Sequence, residues 1–374
     1  MVETTPPFAP FHVLLAGGGS GGHVFPALAV AEELIARGYE VSYAGAASGL
    51  EARLVPARGV RFHALPAKPF VSRGVVGKAG ALLTLLRASA AGRTLVSKLG
   101  ARVVVGTGGY VSAPAVLGSR LAGRPSLLIE PNAQPGSANR QLSRFAAGAA
   151  VAFAAAADGL SCPARLTGVP IRKEFAAEPA PLPAGPPRLL LLGGSQGALS
   201  LNRSFPAVVA RLVGRFPGLT VLHQTGEKHL EAARTAWLAA GVPAGTVELV
   251  SFLDDVVGAM AGCHLVLGRA GAITVAEIAA AGRGAVLAPL SALAENHQKA
   301  NAEAFAAAGA ARVVPDPAAD PVAFENETAA VLSELLAHPA TLARMATAAR
   351  AAARLDAAAR IADWVVELGT EGET

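Results

Sequence analysis

Cysteine is nearly absent from this chain. Cys162 and Cys263 are its only two, far apart and both in apolar surroundings. That excludes a disulfide framework and fits reduced thiols in a cytoplasm. Aromatic residues make up 5% and charged residues 16% of the sequence. With aromatics this scarce and none interleaved with basic residues, nucleic acid is not an expected partner. No apolar run free of glycine and turn residues reaches about 18 residues, the length of a membrane span. The N-terminus lacks the basic segment of a signal peptide. An Asp-x-Asp pair is also missing, since Asp254 and Asp255 are adjacent. No metal or other cofactor is therefore expected. Acidic residues disappear altogether between Glu51 and Glu130.

Hydrophobic residues make up 52% of the 374 residues, enough to bury two domain cores. A net charge of +5 points to an anionic partner, either a phosphorylated substrate or an acidic membrane face. The stretch 264–301 organises the chain. A strand is expected over 264–267, a tight turn at Gly268-Arg269-Ala270-Gly271, and a helix opening at Ala272, Ile273, Thr274, Val275, Ala276 and Glu277. A second strand follows over 285–289, then a polar loop ending in His297-Gln298-Lys299-Ala300-Asn301. A glycine turn feeding a helix offers unpaired N–H groups to a diphosphate. Glu277, further along that helix, suits the two hydroxyls of a ribose, and Gln298 suits other sugar hydroxyls.

The N-terminal half begins with the strand Phe11–Ala16, a glycine run and a helix expected from Pro26 to Arg37. This opening belongs to a doubly wound α/β domain. Ser20, Gly21 and Gly22 form the mouth of that loop, and so many glycines in succession suggest close approach of a substrate. No acidic residue ends the next strand, so the loop is not a dinucleotide fingerprint. His23 at the loop–helix junction is either a capping residue or a proton acceptor kept neutral by the helix start. A second glycine loop, Thr107-Gly108-Gly109-Tyr110, and the loop Pro131–Gly136 are expected at the same sheet edge. Glu130 is either a partner for a loop N–H or an aid to His23. Residues 68–96, with Lys68, Arg73, Lys78, Arg87 and Arg93 around leucines, read as an amphipathic helix or as an apolar patch ringed by cations for an anionic membrane. The proline-dense 168–187 reads as a linker, with Arg172 facing solvent or a nucleotide. The pattern restarts at 188–192 with the loop Gly193-Gly194-Ser195-Gln196-Gly197. The backbone at Leu253 is a candidate for pairing with a nucleobase edge.

Taken in order, Gly18–Pro26, Gly108–Pro114, Gly193–Ala198 and Arg269–Glu277 resemble the motifs of the MurG family of N-acetylglucosaminyltransferases, over about residues 11–365. The resemblance implies an α/β GT-B fold, two Rossmann-like doubly wound domains facing across a cleft. It implies residues 1–167 as an acceptor and membrane-facing domain, with the C-terminal helix of 350–374 packed back on it, and residues 188–349 as the UDP-GlcNAc domain. It implies inverting transfer of GlcNAc from UDP-GlcNAc to the MurNAc C4 hydroxyl of lipid I, the undecaprenyl-linked acceptor, at the cytoplasmic face of the inner membrane. By position, Ser20, Gly21 and Gly22 meet the sugar and acceptor diphosphate, and Asn132 the donor sugar. Arg172, Ser195 and Leu253 hold the uridine diphosphate, Ala272 to Glu277 form the helix start and ribose clasp, and Gln298 reads sugar hydroxyls. His23 is the expected base, with Glu130 its possible orienting partner. The competing readings are a diacylglycerol glycosyltransferase, a UDP-GlcNAc epimerase and a non-catalytic scaffold that binds nucleotide sugar.

Overall fold

A computed structural model describes residues 9–66, 74–194, 197–291 and 297–371. Ser195, Gln196, Lys68 and Arg73 lie outside the described residues. Contacts divide the chain into two units, Met1–Arg172 with Leu355–Thr374, and Lys173–Arg354. The expected linker 168–187 is thus shared between the units, with the break at Arg172.

The first unit contains β1 (His12–Ala16), α1 (Gly21–Ala36), β2 (Glu40–Gly45), α2 (Leu50–Ala57), β3 (Arg61–Ala64), α3 (Gly74–Leu99), β4 (Ala101–Gly106), α4 (Ser112–Leu121), β5 (Ser126–Glu130), α5 (Ser137–Leu142), β6 (Gly148–Val151) and β7 (Ala164–Leu166). The strands run parallel in the order β3-β2-β1-β4-β5-β6-β7. β1, β5 and β6 are buried along their whole length. Strands covered on both faces need apolar residues at successive positions rather than alternate ones, which is why they read as unbroken runs. Val13, Leu15 and Val103 face α1, while Leu14, Val104 and Leu128 face α3 and α4. Gly92 of α3 meets α4 so closely that a Cβ there would overlap the Pro114 carbonyl.

The second unit contains β8 (Arg188–Leu192), α6 (Leu199–Ala210), β9 (Thr220–Gln224), α7 (Leu230–Ala240), β10 (Val247–Val250), α8 (Val256–Ala261), β11 (Leu265–Gly268), α9 (Ala272–Ala280), β12 (Gly284–Leu287), α10 (His297–Ala307), β13 (Ala311–Val313), α11 (Pro321–Ala337) and α12 (Pro339–Ala352). Its parallel order is β10-β9-β8-β11-β12-β13. The last helix, α13 (Ala357–Thr370), belongs to the first unit. Its Trp364 lies on Gly148, and Arg165 stacks over the Trp364 ring at 4.2 Å while making two 2.6 Å bonds to Glu367.

Two helix boundaries differ from the sequence expectation. α1 starts at Gly21, not Pro26, so Pro26 is inside the helix and has no N–H to give the Gly22 carbonyl. The residues 297–301 are the start of α10, not a loop. Their side chains carry no apolar period, and the helix is fixed instead by burial of Asn301, Ala302 and Phe305.

Arg283 is 1% exposed and binds the interior of the second unit together through carbonyls. It donates to Met260 O at 2.8 Å, Ala180 O at 2.9 Å and Ala261 O at 2.8 Å. The former linker residue Ala180 is thereby fixed to this unit. His223 is wholly buried between β9 and its helices. Trp237 Nε1 donates to its Nδ1 at 2.9 Å, so Nε2 carries the proton and donates to Asn202 Oδ1 at 3.0 Å.

Burial pushes the His223 pKa down to about 3. The unfolded chain binds that proton near its ordinary value of about 6.5. Stability from the neutral ring is therefore intact above that value and declines as pH falls towards the folded pKa. Denaturant titrations should show the wild type losing up to about 1.4 kcal/mol more per pH unit than His223→Gln across this window. Equal slopes would mean that the folded ring accepts the proton.

Candidate functional site

Parallel sheets of this order place ligands at the carboxyl ends of strands where the order reverses. In the first unit that point lies between β1 and β4. The chain leaves β1 through Gly17-Gly18-Gly19, with Gly19 at φ +84. Ser20 is the extended N-cap of α1, and its carbonyl accepts from the His23 and Val24 amides at 3.1 and 3.3 Å. The Gly21 and Gly22 amides precede the helical ladder.

His23 is half-buried at the first turn of α1. Its Nδ1 lies 3.2 Å from Gly18 O and 3.1 Å from Ser20 Oγ. A carbonyl only accepts, so Nδ1 carries the proton and Nε2 is the basic nitrogen. Thr107, at the end of β4, donates its hydroxyl to His23 O at 2.8 Å and its amide to Ala16 O at 2.9 Å. Gly108 and Gly109 follow at φ +95 and +72. A Cβ on Gly108 would stand 3.1 Å from Nε2, so the ring lies against bare backbone.

Glu130 is 1% exposed, and its carboxylate is engaged by its own loop. Oε1 accepts from Asn132 N at 2.9 Å and Asn132 Nδ2 at 3.0 Å. Oε2 accepts from Gly136 N at 2.9 Å and Asn139 Nδ2 at 3.0 Å. Of its two expected roles the structure fills the loop role. Gly18 and Ser20 lie at the Nδ1 edge of His23. Asn132 is half-buried, and Arg172 is exposed beyond β7.

In the second unit the order reverses between β8 and β11. Gly271 is the N-cap of α9, and the Val275 amide closes the first turn on Gly271 O at 2.9 Å. The amides of Ala272, Ile273 and Thr274 thus precede the ladder. Ala272, Val275 and Glu277 are buried, while Ile273, Thr274 and Ala276 are half-buried. Gln298, on the first turn of α10, accepts from Leu290 N at 3.0 Å through its amide oxygen. Leu253 is half-buried between β10 and α8, and Asp255 caps α8 by accepting from Gly258 N at 2.7 Å. Leu253, the α9 start and Gln298 therefore share the carboxyl edge of one sheet.

Several supporting residues have roles that are visible only in the fold. Gln224 accepts from Gly193 N at 3.1 Å and donates to Gly194 O at 3.1 Å and Ser251 O at 3.3 Å, joining three loop ends. Arg269 donates to Ala288 O at 2.8 Å, Asp316 Oδ1 at 2.7 Å and Ser200 Oγ at 2.7 Å, which fixes the turn before α9. Burial alone would raise the Asp316 pKa, but donors from Ser291, Ala318 and Arg269 outweigh it and hold the carboxyl below its ordinary value. Asn301 Nδ2 donates to Ala270 O at 3.1 Å from the other side. Glu51, fully buried under the first glycine loop, is another such residue. The one signal for it in the sequence is its place as the last acid before the acid-free stretch.

The chain matches the glycosyltransferase family 28 N-terminal domain over residues 13–151 and the C-terminal domain of the same family over residues 188–361. A relative from Halorhodospira halophila, named UDP-N-acetylglucosamine–N-acetylmuramyl-(pentapeptide) pyrophosphoryl-undecaprenol N-acetylglucosamine transferase, is 42% identical over 89% of this chain and 91% of its own length. A relative of the same name from Sorangium cellulosum is 41% identical over 95% of this chain and 88% of its length. Among solved structures, Acinetobacter baumannii MurG is similar with a TM-score of 0.79 at 32% identity, over 96% of this chain and 100% of that one. The UDP-GlcNAc 2-epimerase from Neisseria meningitidis, at 12% identity and a TM-score of 0.67, shares the fold alone. The chain belongs to glycosyltransferase family 28, as a member of its MurG family.

Proposed function

We propose that this protein transfers GlcNAc from UDP-GlcNAc to the C4 hydroxyl of MurNAc in an undecaprenyl-diphosphate-linked pentapeptide, with inversion. The relatives' names supply the substrates. The observation that carries the reading is the start of α9, where three amides outside the helical ladder stand one turn before the buried carboxylate of Glu277. The amides suit the UDP diphosphate, and Glu277 suits the ribose diol. With its oxygen on Leu290, Gln298 offers its NH2 group to a sugar hydroxyl. Leu253, Ser195 and Arg172 are assigned to the nucleotide, and Asn132 to the donor sugar.

The acceptor belongs to the first unit, at Ser20, Gly21 and Gly22. The acceptor oxygen bonds to the anomeric carbon as the bond from that carbon to the UDP oxygen breaks. His23 Nε2 takes the hydroxyl proton, and the amides before α9 meet the charge left on UDP. Work at a lipid-linked acceptor favours attachment at the cytoplasmic face of the inner membrane. No described helix is long and apolar enough to cross a bilayer. Attachment is assigned to α3, where Leu83 and Leu86 are 50% and 59% exposed beside Arg87 and Arg93.

The central test is UDP release from UDP-GlcNAc with and without a lipid I analogue. Release that needs no acceptor would support hydrolysis or epimerisation instead. His23→Ala should lower kcat at least about a hundredfold with donor binding retained, and near-normal turnover removes His23 as the base. Glu277→Ala should raise the donor KM more than it lowers kcat; an unchanged KM ends the ribose assignment. Leu83→Asp with Leu86→Asp should abolish cosedimentation with anionic vesicles while sparing turnover of a water-soluble acceptor. Retained vesicle binding would move the membrane contact elsewhere.

A further inference from the structure

Glu51 is the second residue of α2 and is 0% exposed. Its Oε2 accepts from Gly19 N at 3.2 Å and its Oε1 from Ala46 N at 3.0 Å. A Cβ on Gly18, Gly45 or Gly49 would collide with this side chain, so three positions forgo a side chain around one carboxylate. A buried carboxylate is costly unless donors meet it. Here one of the two donors is the amide of the glycine loop itself.

The Gly19 N–H and the Gly18 C=O belong to the same peptide group. The N–H end donates to Glu51, and the C=O end accepts the Nδ1 proton of His23 at 3.2 Å. Carboxylate and imidazole are thus joined through a single amide. An acceptor at the N–H end polarises the amide and strengthens the carbonyl as an acceptor at the other end. Tyr43 of β2 and Tyr110 of the second glycine loop border the same loop, and Glu130 of β5 lies beyond Asn139.

We propose that Glu51 is a positioning residue for His23, acting through the Gly18–Gly19 peptide to hold the ring as the Nδ1–H tautomer and to stabilise the imidazolium that forms when Nε2 takes the acceptor proton. The inference rests on the reading of His23 as the base. It assigns to a peptide-linked carboxylate the part that a directly bonded carboxylate plays beside the histidine of a catalytic triad. The glycines serve this arrangement, because they let the carboxylate lie beneath the loop while substrate approaches from above.

Glu51→Gln should lower kcat about tenfold or more with the donor KM nearly unchanged. The acid limb of the kcat/KM profile should move to lower pH by about half a unit to one unit, since a negative neighbour that favours the imidazolium is gone. Nitrogen NMR of His23 should show the proton on Nδ1 in the wild type and a mixture of tautomers in Glu51→Gln. Glu51→Asp, which keeps the charge, should recover part of the limb. A Glu51→Gln protein with reduced turnover but the same acid limb and tautomer overturns the relay and leaves only a structural role. Should that variant not fold, Gly45→Ala, whose methyl would press on Glu51 Cγ, should reproduce the loss of turnover, and a wild-type His23 protonated on Nε2 overturns the proposal outright. Near-normal turnover of His23→Ala removes the base reading instead, so the two failures are distinguishable.

Discussion

Each unit depends on peptide N–H groups that a helix cannot use. The first amides of α1 and of α9 have no carbonyl four residues behind them, and each helix starts where its sheet reverses strand order. At these two, glycine brings the backbone close to whatever occupies the edge. In the proposed function, affinity for phosphate and sugar comes from main-chain groups whose position the sheets determine, and only a few side chains need to be exact.

Those side chains are held in turn by buried polar residues. Gln224 spans three loop ends, and Arg269 with Asp316 forms an ion pair at 12% and 2% side-chain exposure under the α9 turn. Such pairs offset their desolvation only when the remaining donors and acceptors are satisfied. Here they are met by Ser200, Ser291, Ala288 and Ala318. The two units solve one problem with overlapping chemistry. The first uses the carboxylates of Glu51 and Glu130 to gather loop amides, and the second uses the carboxylate of Asp316 in the same way and adds a guanidinium and an amide.

The doubly wound architecture was legible because fully covered parallel strands leave unbroken apolar runs, as in Arg188–Leu192 and Ser126–Glu130. The glycine loops and the α9 start were legible because φ above zero and close approach leave a local mark. The start of α10 was not, because its first residues are polar and the helix is fixed by Phe305 and Ala302 from the far side. Glu130 was only half legible. A lone acid at a strand end looks the same whether it serves a neighbouring ring or its own loop, and its bonds to Asn132, Gly136 and Asn139 appear only in the fold. Gln224, and Glu51 apart from its place before the acid-free stretch, gave no sign of their roles for a related reason, since each acts on a backbone group distant in sequence.

The docking of α13 has a consequence for the order in which the protein is made. Ile361, Trp364, Val365 and Leu368 belong to the core that also contains Val13, Leu15 and Val103. The half synthesised first cannot complete its interior until α13 has left the ribosome. The second unit, by contrast, has every strand it needs once Ala352 has emerged. During translation the later half is therefore the first able to finish folding, while the earlier half waits with an apolar face uncovered.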